Sequence, residues 1–318
     1  MFIKNEDFKI AHKLILKHDT IVIFGHTLPD GDCYGSQIGL RDTLRINFPN
    51  KKVYAVGSGL PSLFFRLGAM DVVEDQIIKE SLAILVDVSD FALVEDQRIN
   101  LAKEYLKIDH HYESKPFPYA KVMKTNKIAT AEIIAEFIAT YKLKMNKTIA
   151  EALYLGIATD SGRFLYEPTN KSTFLTTANL YDYQIEPKEL FNVIYEVEEN
   201  YLKYRGYLLS NYQKSPHGVI YCYVKKEVYL NLGLSYAYAS SQVNTYSNIK
   251  GYPIFALFTE NLEGGMRVEL RSNTVPIREV ALKYGGGGHA LAAGVRMLKG
   301  SEQEINKIVQ DLDQLLKE

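Results

Sequence analysis

Short, almost wholly apolar segments alternate with amphipathic segments in the first half of this chain, and this alternation constrains its fold most. The apolar segments are rich in Val, Ile and Leu, as strands buried on both faces usually are. The four predicted strands are Thr20–Phe24, Lys52–Val56, Leu82–Val88 and Leu106–Ile108. Helical spacing is found in Gly35–Ile46, Ala129–Leu143 and Lys147–Thr159. The alternation predicts a doubly wound parallel sheet, whose ligands bind outside the carboxyl ends of the strands.

A second, smaller α/β domain is predicted after this half, because 318 residues exceed what one hydrophobic core usually spans. The pattern changes from about Asn179 to Tyr204, where Pro187 and the acidic run Glu196–Asn200 indicate a partly helical connection. Later strands are predicted at Val219–Val224, Ile254–Thr259 and Met266–Arg271, and helices at Ile277–Lys283 and Glu302–Leu316. We therefore predict domains at residues 1–185 and 206–318, joined by a linker at 186–205.

Charge and cysteine content exclude several classes of protein. A net charge of -1 and a sequence pI of about 6.7 provide no basic field for long nucleic acid, and they favour a small anionic substrate. Cys33 and Cys222 lie too far apart in sequence for a metal-binding pair, and they indicate a reducing compartment without a disulfide framework. The polar, amphipathic N-terminal segment and the short apolar runs predict a cytoplasmic protein that does not bind membranes.

Acidic and histidine residues follow the predicted strands. They are His26, Asp30 and Asp32 in GHTLPDGD, Asp87 in AILVDVSD, Asp109, His110 and His111 in LKIDHH, and Asp160 at the end of EALYLGIATD. A single Asp after a strand is usually a turn or capping residue, and an isolated His pair is more often structural. Three of the four segments, however, end at the same edge of a parallel sheet, and this shared edge favours a metal site.

The ligand types in these segments indicate which metals would bind. Carboxylates and imidazoles without thiolates suit Mn²⁺, Mg²⁺ or Fe²⁺ better than a structural zinc ion. Four aspartates and two histidines exceed the needs of one ion, and they suffice for two ions about 3.5–4 Å apart that share a bridging carboxylate. Such a pair of ions activates water and neutralises charge at phosphorus.

A glycine-rich segment, Gly285–Gly288 followed by His289, is a second candidate site. Consecutive glycines allow backbone N–H groups to converge on an anion, and a following helix start would add its dipole. A flexible loop or a helix C-cap is the simpler interpretation of the glycines alone. Arg271 at the end of MRVELRS offers a planar fork suited to phosphate, and Arg267 is a competing candidate.

In these motifs the chain resembles the DHH phosphoesterase family. HTLPDGDCYGS, VDVSD, IDHH and GIATDSGRF match the four motifs of its catalytic domain in order, and GGGGHALAAG is similar to the signature of the associated C-terminal domain. The DSGRF sequence, with Arg163 and Phe164, resembles the nanoRNase and pAp-phosphatase branch. RecJ-type exonucleases share the catalytic core but carry further DNA-binding modules, for which this chain has no room.

The resemblance implies a role for each residue that matches a family motif. One ion would be held by His26, Asp30 and Asp87, and the other by Asp32, Asp87, His110 and Asp160. His111 would be an acid–base or supporting group that Asp109 orients, and Asp90 would either support Asp87 or cap the next helix. Substrate phosphate would contact Arg163, Arg271, Ser272, Gly286, Gly287, Gly288 and His289, with Phe164 either stacking on a base or packing in the core.

The activity implied is hydrolysis of short oligoribonucleotides, linear dinucleotides such as pApA, and 3′-phosphoadenosine 5′-phosphate (pAp). Two divalent ions, Mn²⁺ first and Mg²⁺ as the alternative, would act in a cleft between the domains. A cyclic-dinucleotide phosphodiesterase, a pyrophosphate or polyphosphate hydrolase and a non-catalytic nucleotide-binding regulator remain as alternatives. The sequence leaves open whether the chain forms a homodimer.

Overall fold

Two compact units make up the chain, and they meet in sequence at Glu196 and Val197. The structure is a computed structural model that describes residues 6–113, 116–297 and 300–317. The start of the N-terminal segment discussed above therefore lies outside the described residues. The division of the chain falls inside the segment predicted to be a linker.

The first unit is built on a five-stranded parallel sheet with the strand order β2-β1-β3-β4-β5. Its strands are β1 Thr20–Phe24, β2 Lys52–Val56, β3 Leu82–Val86, β4 Glu104–Asp109 and β5 Ala120–Met123. Alternate residues of β1 belong to different clusters of apolar side chains, Ile21 and Ile23 to one and Val22 and Phe24 to the other. The sheet is therefore covered on both faces, as its continuous apolar strands require.

Eight α-helices accompany this sheet in the described part of the unit. They are α1 Glu6–Lys17, α2 Gly31–Asn47, α3 Phe64–Leu67, α4 Asp75–Lys79, α5 Thr130–Thr140, α6 Lys147–Asp160, α7 Lys171–Tyr181 and α8 Pro187–Tyr195. Short 3-10 helices lie at Pro61–Leu63, Phe91–Leu93 and Gln97–Leu101. Pro187 is the first residue of α8, a position where its missing N–H has no helical partner to lose.

Helices α2 and α6 approach each other closely through small residues on α2. Gly31, Gly35 and Gly39 are spaced four residues apart, so they share one face of that helix. A Cβ on Gly35 would lie 2.2 Å from the carbonyl oxygen of Ala152 on α6, so only glycine fits at this crossing. The contact places the first turn of α2 beside the last turns of α6, which brings two acidic segments together.

The second unit has a six-stranded mixed sheet with the order β10-β11-β9-β8-β7-β6, in which only β7 and β8 pair in parallel. Its strands are β6 Gln213–Lys214, β7 Val219–Val224, β8 Ile254–Glu260, β9 Met266–Ser272, β10 Gly287–Gly288 and β11 Ala292–Met297. Its helices are α9 Glu199–Asn211, α10 Lys226–Asn231, α11 Tyr236–Ser241, α12 Arg278–Lys283 and α13 Glu302–Gln314, with a 3-10 helix at Gln242–Tyr246.

The predicted fold class is confirmed, since a parallel sheet with helices is followed by a second, smaller sheet domain. The sequence prediction missed β5. It also began α2 four residues too late, because the first turn of this helix is rich in glycine and polar residues and lacks the apolar spacing that indicates a helix. A helix start after the glycine-rich segment is wrong: Gly287 and Gly288 form β10, and the strand β11 follows. None of the helices among the described residues is long and apolar enough to cross a membrane.

Candidate active site

The acidic and histidine residues converge at the carboxyl edge of the first sheet. His26 follows β1, Asp87 follows β3, and Asp109 is the last residue of β4. These three strands are parallel neighbours, so their ends meet at one edge. Their placement follows from the strand positions, and the two helices described next add the remaining carboxylates.

Asp30 and Asp32 reach this edge from the start of α2. Asp30 is the N-cap of the helix, and its Oδ1 accepts hydrogen bonds from the backbone N–H groups of Asp32 and Cys33. Asp32 is fully buried, and its two carboxylate oxygens accept N–H groups from Thr130 at 2.7 Å and Ala131 at 2.9 Å. Asp32 therefore caps α5, a helix that has no capping side chain of its own.

Asp87 occupies the centre of the cluster. Its backbone has a φ of 59°, a left-handed conformation that is uncommon outside glycine and that turns the chain sharply after β3. Asp87 Oδ2 lies 3.5 Å from His26 Nε2, and Asp87 Oδ1 lies 3.4 Å from His110 Nε2. The hydroxyl of Thr130 donates to the same Oδ1 at 3.1 Å. One carboxylate thus faces both histidines.

Three overlapping groups of potential ligand atoms result, with the atoms of each group all within 4.8 Å of one another. These groups are His26 with Asp30 and Asp87, Asp32 with His110 and Asp160, and Asp87 with His110 and His111. In the second group His110 Nε2 lies 3.2 Å from Asp160 Oδ2 and 4.0 Å from Asp32 Oδ2. The structure therefore brings together all six residues that the sequence proposed as ligands.

The two histidines have the hydrogen bonding of metal ligands. His110 Nδ1 lies 3.3 Å from the carbonyl oxygen of Lys127, and His26 Nδ1 lies 2.9 Å from that of Thr27. A carbonyl oxygen can only accept a hydrogen bond, so Nδ1 must carry the hydrogen in both rings, and these bonds favour the tautomer whose Nε2 carries a lone pair. His110 Nε2 is buried, has no hydrogen-bond partner among the described residues, and faces three carboxylates. The residues present therefore fit a divalent cation.

Without a cation, protons are drawn to the histidines. Burial alone would lower the pKa of His110, but the close contact with Asp87 and the charges of Asp32, Asp87 and Asp160 raise it to about 10. Burial opposes a raised pKa at His26 too, and the neighbouring carboxylates of Asp30 and Asp87 overcome it. A cation between these side chains would take the place of the imidazolium protons.

The carboxylates divide into one that stays ionised and two that resist ionisation. Burial would raise the pKa of Asp87, but the close contacts with His110 and His26 hold it well below its usual value. Burial, followed by the charge of Asp87, raises the pKa of Asp160 to about 7. The pKa of Asp32 is raised by burial and by the charges of Asp87 and Asp160. Divalent cations would relieve this repulsion.

His111 lies beside the cluster and is oriented by Asp109. Its Nδ1 is 2.8 Å from Asp109 Oδ1, and its backbone N–H donates to the same oxygen at 3.1 Å. The other oxygen of Asp109 lies 3.2 Å from Nζ of Lys107, a lysine that is almost completely buried. Lys107 also donates to the carbonyl oxygen of Ser89. Asp109 therefore links a buried cation to His111.

The glycine-rich segment lies in the second unit, where it lines a cavity of about 360 Å³. Gly287 and Gly288 pair with β11, and His289 is exposed in the turn that follows them. Arg271 lines the same cavity and is held by Glu269 at 3.0 Å and by the carbonyl oxygen of Leu270 at 2.8 Å. Guanidinium, imidazole and glycine backbone therefore share one cavity, and such a set suits a phosphate.

Comparison with known proteins identifies the family. The N-terminal domain of the DHH family matches residues 20–157, and the DHHA1 domain matches residues 218–318. The bifunctional oligoribonuclease and PAP phosphatase NrnA of Bacillus subtilis is 35% identical over 309 residues, which cover 96% of this chain and 97% of the relative. The chain belongs to the DHH phosphoesterase family. It is therefore a hydrolase that acts on phosphate esters, as the sequence motifs predicted.

Further relatives agree with this assignment of the chain to the DHH family. The protein of the same name from Mycoplasma pneumoniae is 34% identical over 308 residues, which cover 95% of this chain and 94% of the relative. The crystal structure of an exopolyphosphatase-related protein from Bacteroides fragilis superposes with a TM-score of 0.88. That alignment covers 98% of both chains at 23% sequence identity, and it supports the fold alone.

Several residues of the DHH motifs have structural contacts of their own. Ser272 is buried, and its hydroxyl accepts hydrogen bonds from the backbone N–H groups of Thr274 and Val275. Gly285, with a φ of 75°, directly follows Tyr284, the C-cap of α12, and so terminates that helix, which is the simpler of the two interpretations of the first glycine. Asp90 caps the 3-10 helix that begins at Phe91, which is one of the two roles considered for it.

Arg163 and Phe164 belong to the first unit, where both have left-handed backbone conformations, with φ values of 61° and 70°. Arg163 is exposed, and its guanidinium lies 5.3 Å from the ring centroid of Tyr195. Phe164 stacks on Phe174 with ring centroids 5.4 Å apart and packs against the hydrophobic core. Of the two roles considered for Phe164, core packing is the one that these contacts show.

A group of residues around the first turn of α5 was missed by the sequence analysis of this DHH domain. Thr130 contacts both Asp87 and Asp32, and the carbonyl group of Lys127 accepts from His110. The Lys127 side chain is itself held in place by Glu132, at 2.9 Å, and by Glu136. No local pattern indicated these contacts, since Thr130 stands only two residues before Glu132, whereas a capping box has Ser or Thr three residues before Glu.

Proposed function

We propose that this protein hydrolyses short oligoribonucleotides, linear dinucleotides such as pApA, and pAp to mononucleotides, and that it uses two divalent ions, Mn²⁺ foremost. The proposal rests on two groups of potential ligand atoms that lie on either side of Asp87. Asp87 belongs to the group that contains His26, and it also faces His110 of the second group. The names of the relatives from Bacillus subtilis and Mycoplasma pneumoniae support the choice of substrates.

One ion would be held by His26, Asp30 and Asp87, and the other by Asp32, His110 and Asp160 with Asp87 between them. Bound there, the two ions would supply Lewis acidity and an activated water to the scissile phosphate. The histidines, whose Nδ1 atoms are engaged by backbone carbonyls, present Nε2 to this site. Helix α5 directs its N-terminal N–H groups at Asp32 and so keeps that carboxylate in place when it is charged.

His111 is the residue best suited to proton transfer. Asp109 fixes its ring through Nδ1, which leaves Nε2 as the nitrogen that exchanges a proton with a substrate oxygen. Burial would lower the pKa of His111, but the hydrogen bond to Asp109 and the charge of Asp87 raise it. A raised pKa favours the protonated form, which can donate a proton to the leaving oxygen of a phosphate ester.

The cavity of the second unit would hold another phosphate of the same substrate. Arg271 and His289 would contact its oxygens, while Gly287 and Gly288 allow the close approach of the phosphate to the backbone. Glu269 keeps the guanidinium of Arg271 in place through a 3.0 Å ion pair. A substrate must therefore carry two phosphates, as pAp and short oligoribonucleotides do, to use both sites.

A substrate panel with purified protein tests the proposal. Turnover of pAp, pApA, a pentaribonucleotide, a cyclic dinucleotide and pyrophosphate is measured with Mn²⁺, with Mg²⁺ and after removal of metal by a chelator. We expect metal-dependent release of mononucleotides from the first three substrates. Faster turnover of the cyclic dinucleotide or pyrophosphate would replace the substrate assignment. Nucleotide binding without turnover would identify a regulator.

The role of the glycine-rich cavity is tested by comparing substrates with one and two phosphates. His289→Ala and Arg271→Ala are expected to reduce kcat/KM for pAp by about ten- to a hundredfold, the value of a charge-assisted contact of about 1.5–3 kcal/mol. Turnover of p-nitrophenyl phosphate, which has a single phosphate, is expected to fall less, and bound metal should be retained. An equal loss for both substrates, or loss of metal, would show that this cavity is not a distal phosphate site.

A further inference from the structure

A second cavity lies next to the glycine-rich cavity, and the two share a wall. The second cavity has a volume of about 380 Å³, and its lining includes Tyr236, Arg267 and Arg296. Arg267 and Arg296 also line the glycine-rich cavity. The two arginines therefore stand between one cavity with phosphate-binding chemistry and another with an aromatic wall.

The strand register explains why these arginines meet. Arg267 on β9 lies directly opposite Arg296 on β11 in an antiparallel pair. Side chains alternate along a strand, so Arg267, Glu269 and Arg271 project from one face of β9. Arg267 and Arg271 are four residues apart, which corresponds to about 13 Å along a strand. The positions opposite Glu269 and Arg271 are Gly294 and Ala292, so small residues form the floor between the arginines.

The charges on this face do not balance. Glu269 pairs with Arg267 at 2.6 Å and with Arg271 at 3.0 Å, so one carboxylate serves two guanidinium groups. Arg296 is exposed and forms no ion pair with a carboxylate in the part of the chain that the structure describes. Like charges directly opposite each other destabilise a sheet. A bound anion between Arg267 and Arg296 would remove this repulsion.

The second cavity also offers apolar contacts of the kind that a nucleobase uses. Tyr236, the first residue of α11, is half-buried, and Met266 and Met297 line the cavity with it. An aromatic ring beside a cationic groove is the usual combination for binding single-stranded nucleic acid, because every base can stack on it. A cavity that held an inorganic anion alone would gain nothing from these side chains.

We infer that Arg267, Arg296 and Tyr236 form a second nucleotide subsite for oligoribonucleotides. It accepts the phosphate and base adjacent to the nucleotide whose phosphate occupies the glycine-rich cavity. This inference rests on the proposed function and deepens it, because it assigns a surface that distinguishes longer from shorter substrates. A substrate of three or more nucleotides reaches the subsite, whereas pAp has no third phosphate to place there.

Arg296→Gln and Tyr236→Leu test the subsite, with Lys307→Gln as the control. Lys307 is exposed on α13 in the same unit, and its substitution removes the same charge. kcat/KM is measured for pAp, a dinucleotide and a pentaribonucleotide. For Arg296→Gln the loss with the pentaribonucleotide should exceed the loss with pAp by about ten- to a hundredfold, as expected for a charged phosphate contact. Lys307→Gln should show no such difference between substrates.

A binding experiment separates this inference from the proposed function. The affinity of a pentaribonucleotide labelled with fluorescein at its 3′ end is measured by anisotropy in EDTA, where hydrolysis does not occur, at several salt concentrations. Arg296→Gln should weaken binding about tenfold or more and reduce the salt slope by about one. Unchanged binding, or equal losses for pAp and the pentaribonucleotide, would overturn the subsite. Failure of the wild-type protein to hydrolyse any of these substrates would instead refute the proposed function.

Discussion

Replacement of Asp160 by asparagine should stabilise the metal-free protein, although it removes a proposed metal ligand. Asp160 lies 3.2 Å from His110 Nε2, and burial together with the charge of Asp87 raises its pKa from 3.8 to about 7. A carboxyl group whose pKa is raised by folding disfavours the folded state whenever it is ionised. Asparagine has nearly the same shape but no charge, so this unfavourable contribution disappears in the variant.

The size and pH range of the effect follow from the pKa. Below pH 3.8 the carboxyl group is neutral in both states and has no effect on stability. As the pH rises from about 4 to 7, the unfolded state ionises first and the metal-free folded state loses stability. Above pH 7 the loss is complete and amounts to at most about 4 kcal/mol. Asp160→Asn should therefore gain more free energy of unfolding at pH 8 than at pH 5, by roughly 2–3 kcal/mol.

Denaturant unfolding of the EDTA-treated proteins at pH 5 and pH 8 measures this difference. Asp182→Asn is the control, because Asp182 is an exposed carboxylate at the end of α7 in the same unit. Added Mn²⁺ should stabilise the wild-type protein strongly and Asp160→Asn much less, so the order of stabilities should reverse. A variant that is no more stable than the wild type at pH 8, or whose gain is the same at both pH values, would refute the electrostatic argument.

Three further outcomes are expected. Asp87→Ala should abolish turnover of pAp at saturating Mn²⁺, and the loss of rate should exceed the 10²–10⁴-fold expected for one proton-transfer group. Circular dichroism should show that the variant is folded, and near-normal turnover would contradict the bridging role. Gly35→Ala should lower the free energy of unfolding by about 1–3 kcal/mol, because its Cβ would lie 2.2 Å from the carbonyl oxygen of Ala152; an unchanged denaturation midpoint would contradict the close crossing. Thr130→Val should weaken Mn²⁺ binding measured by calorimetry, and the loss of binding free energy should exceed the loss in free energy of unfolding of the metal-free protein. Unchanged Mn²⁺ affinity would show that the contact of Thr130 with Asp87 is incidental.

The meeting of the candidate ligands could be predicted from the sequence because most of them follow an easily recognised strand. The apolar segment before His26 and the one before Asp87 are buried on both faces, and such segments stand out in any sequence. Once the strands are parallel, their ends must meet at one edge. The position of Asp160 was predictable for a different reason, since the α6 pattern ends there and the family motif GIATDSGRF begins within that helix.

Contacts between distant segments could not be predicted in the same way. Asp32 caps α5 through Thr130, 98 residues further along the chain, and no local pattern indicates that a helix will be capped by a remote carboxylate. Arg296 opposite Arg267 depends on the register of two strands that the sequence analysis had only half identified. The first glycine of the glycine-rich segment was ambiguous because a helix C-cap and an anion loop require the same conformational freedom.

The fold of the first unit brings together charges that oppose one another, and this requires the proposed ligands to be attached to rigid elements. Asp32 and Asp160 resist ionisation because each is buried near the charge of Asp87. Flexible side chains would move apart under this repulsion. The glycine-mediated contact of α2 with α6 and the capping of α5 by Asp32 hold the carboxylates in place instead. A cation that binds there relieves the repulsion between the carboxylates and does not also have to order flexible loops.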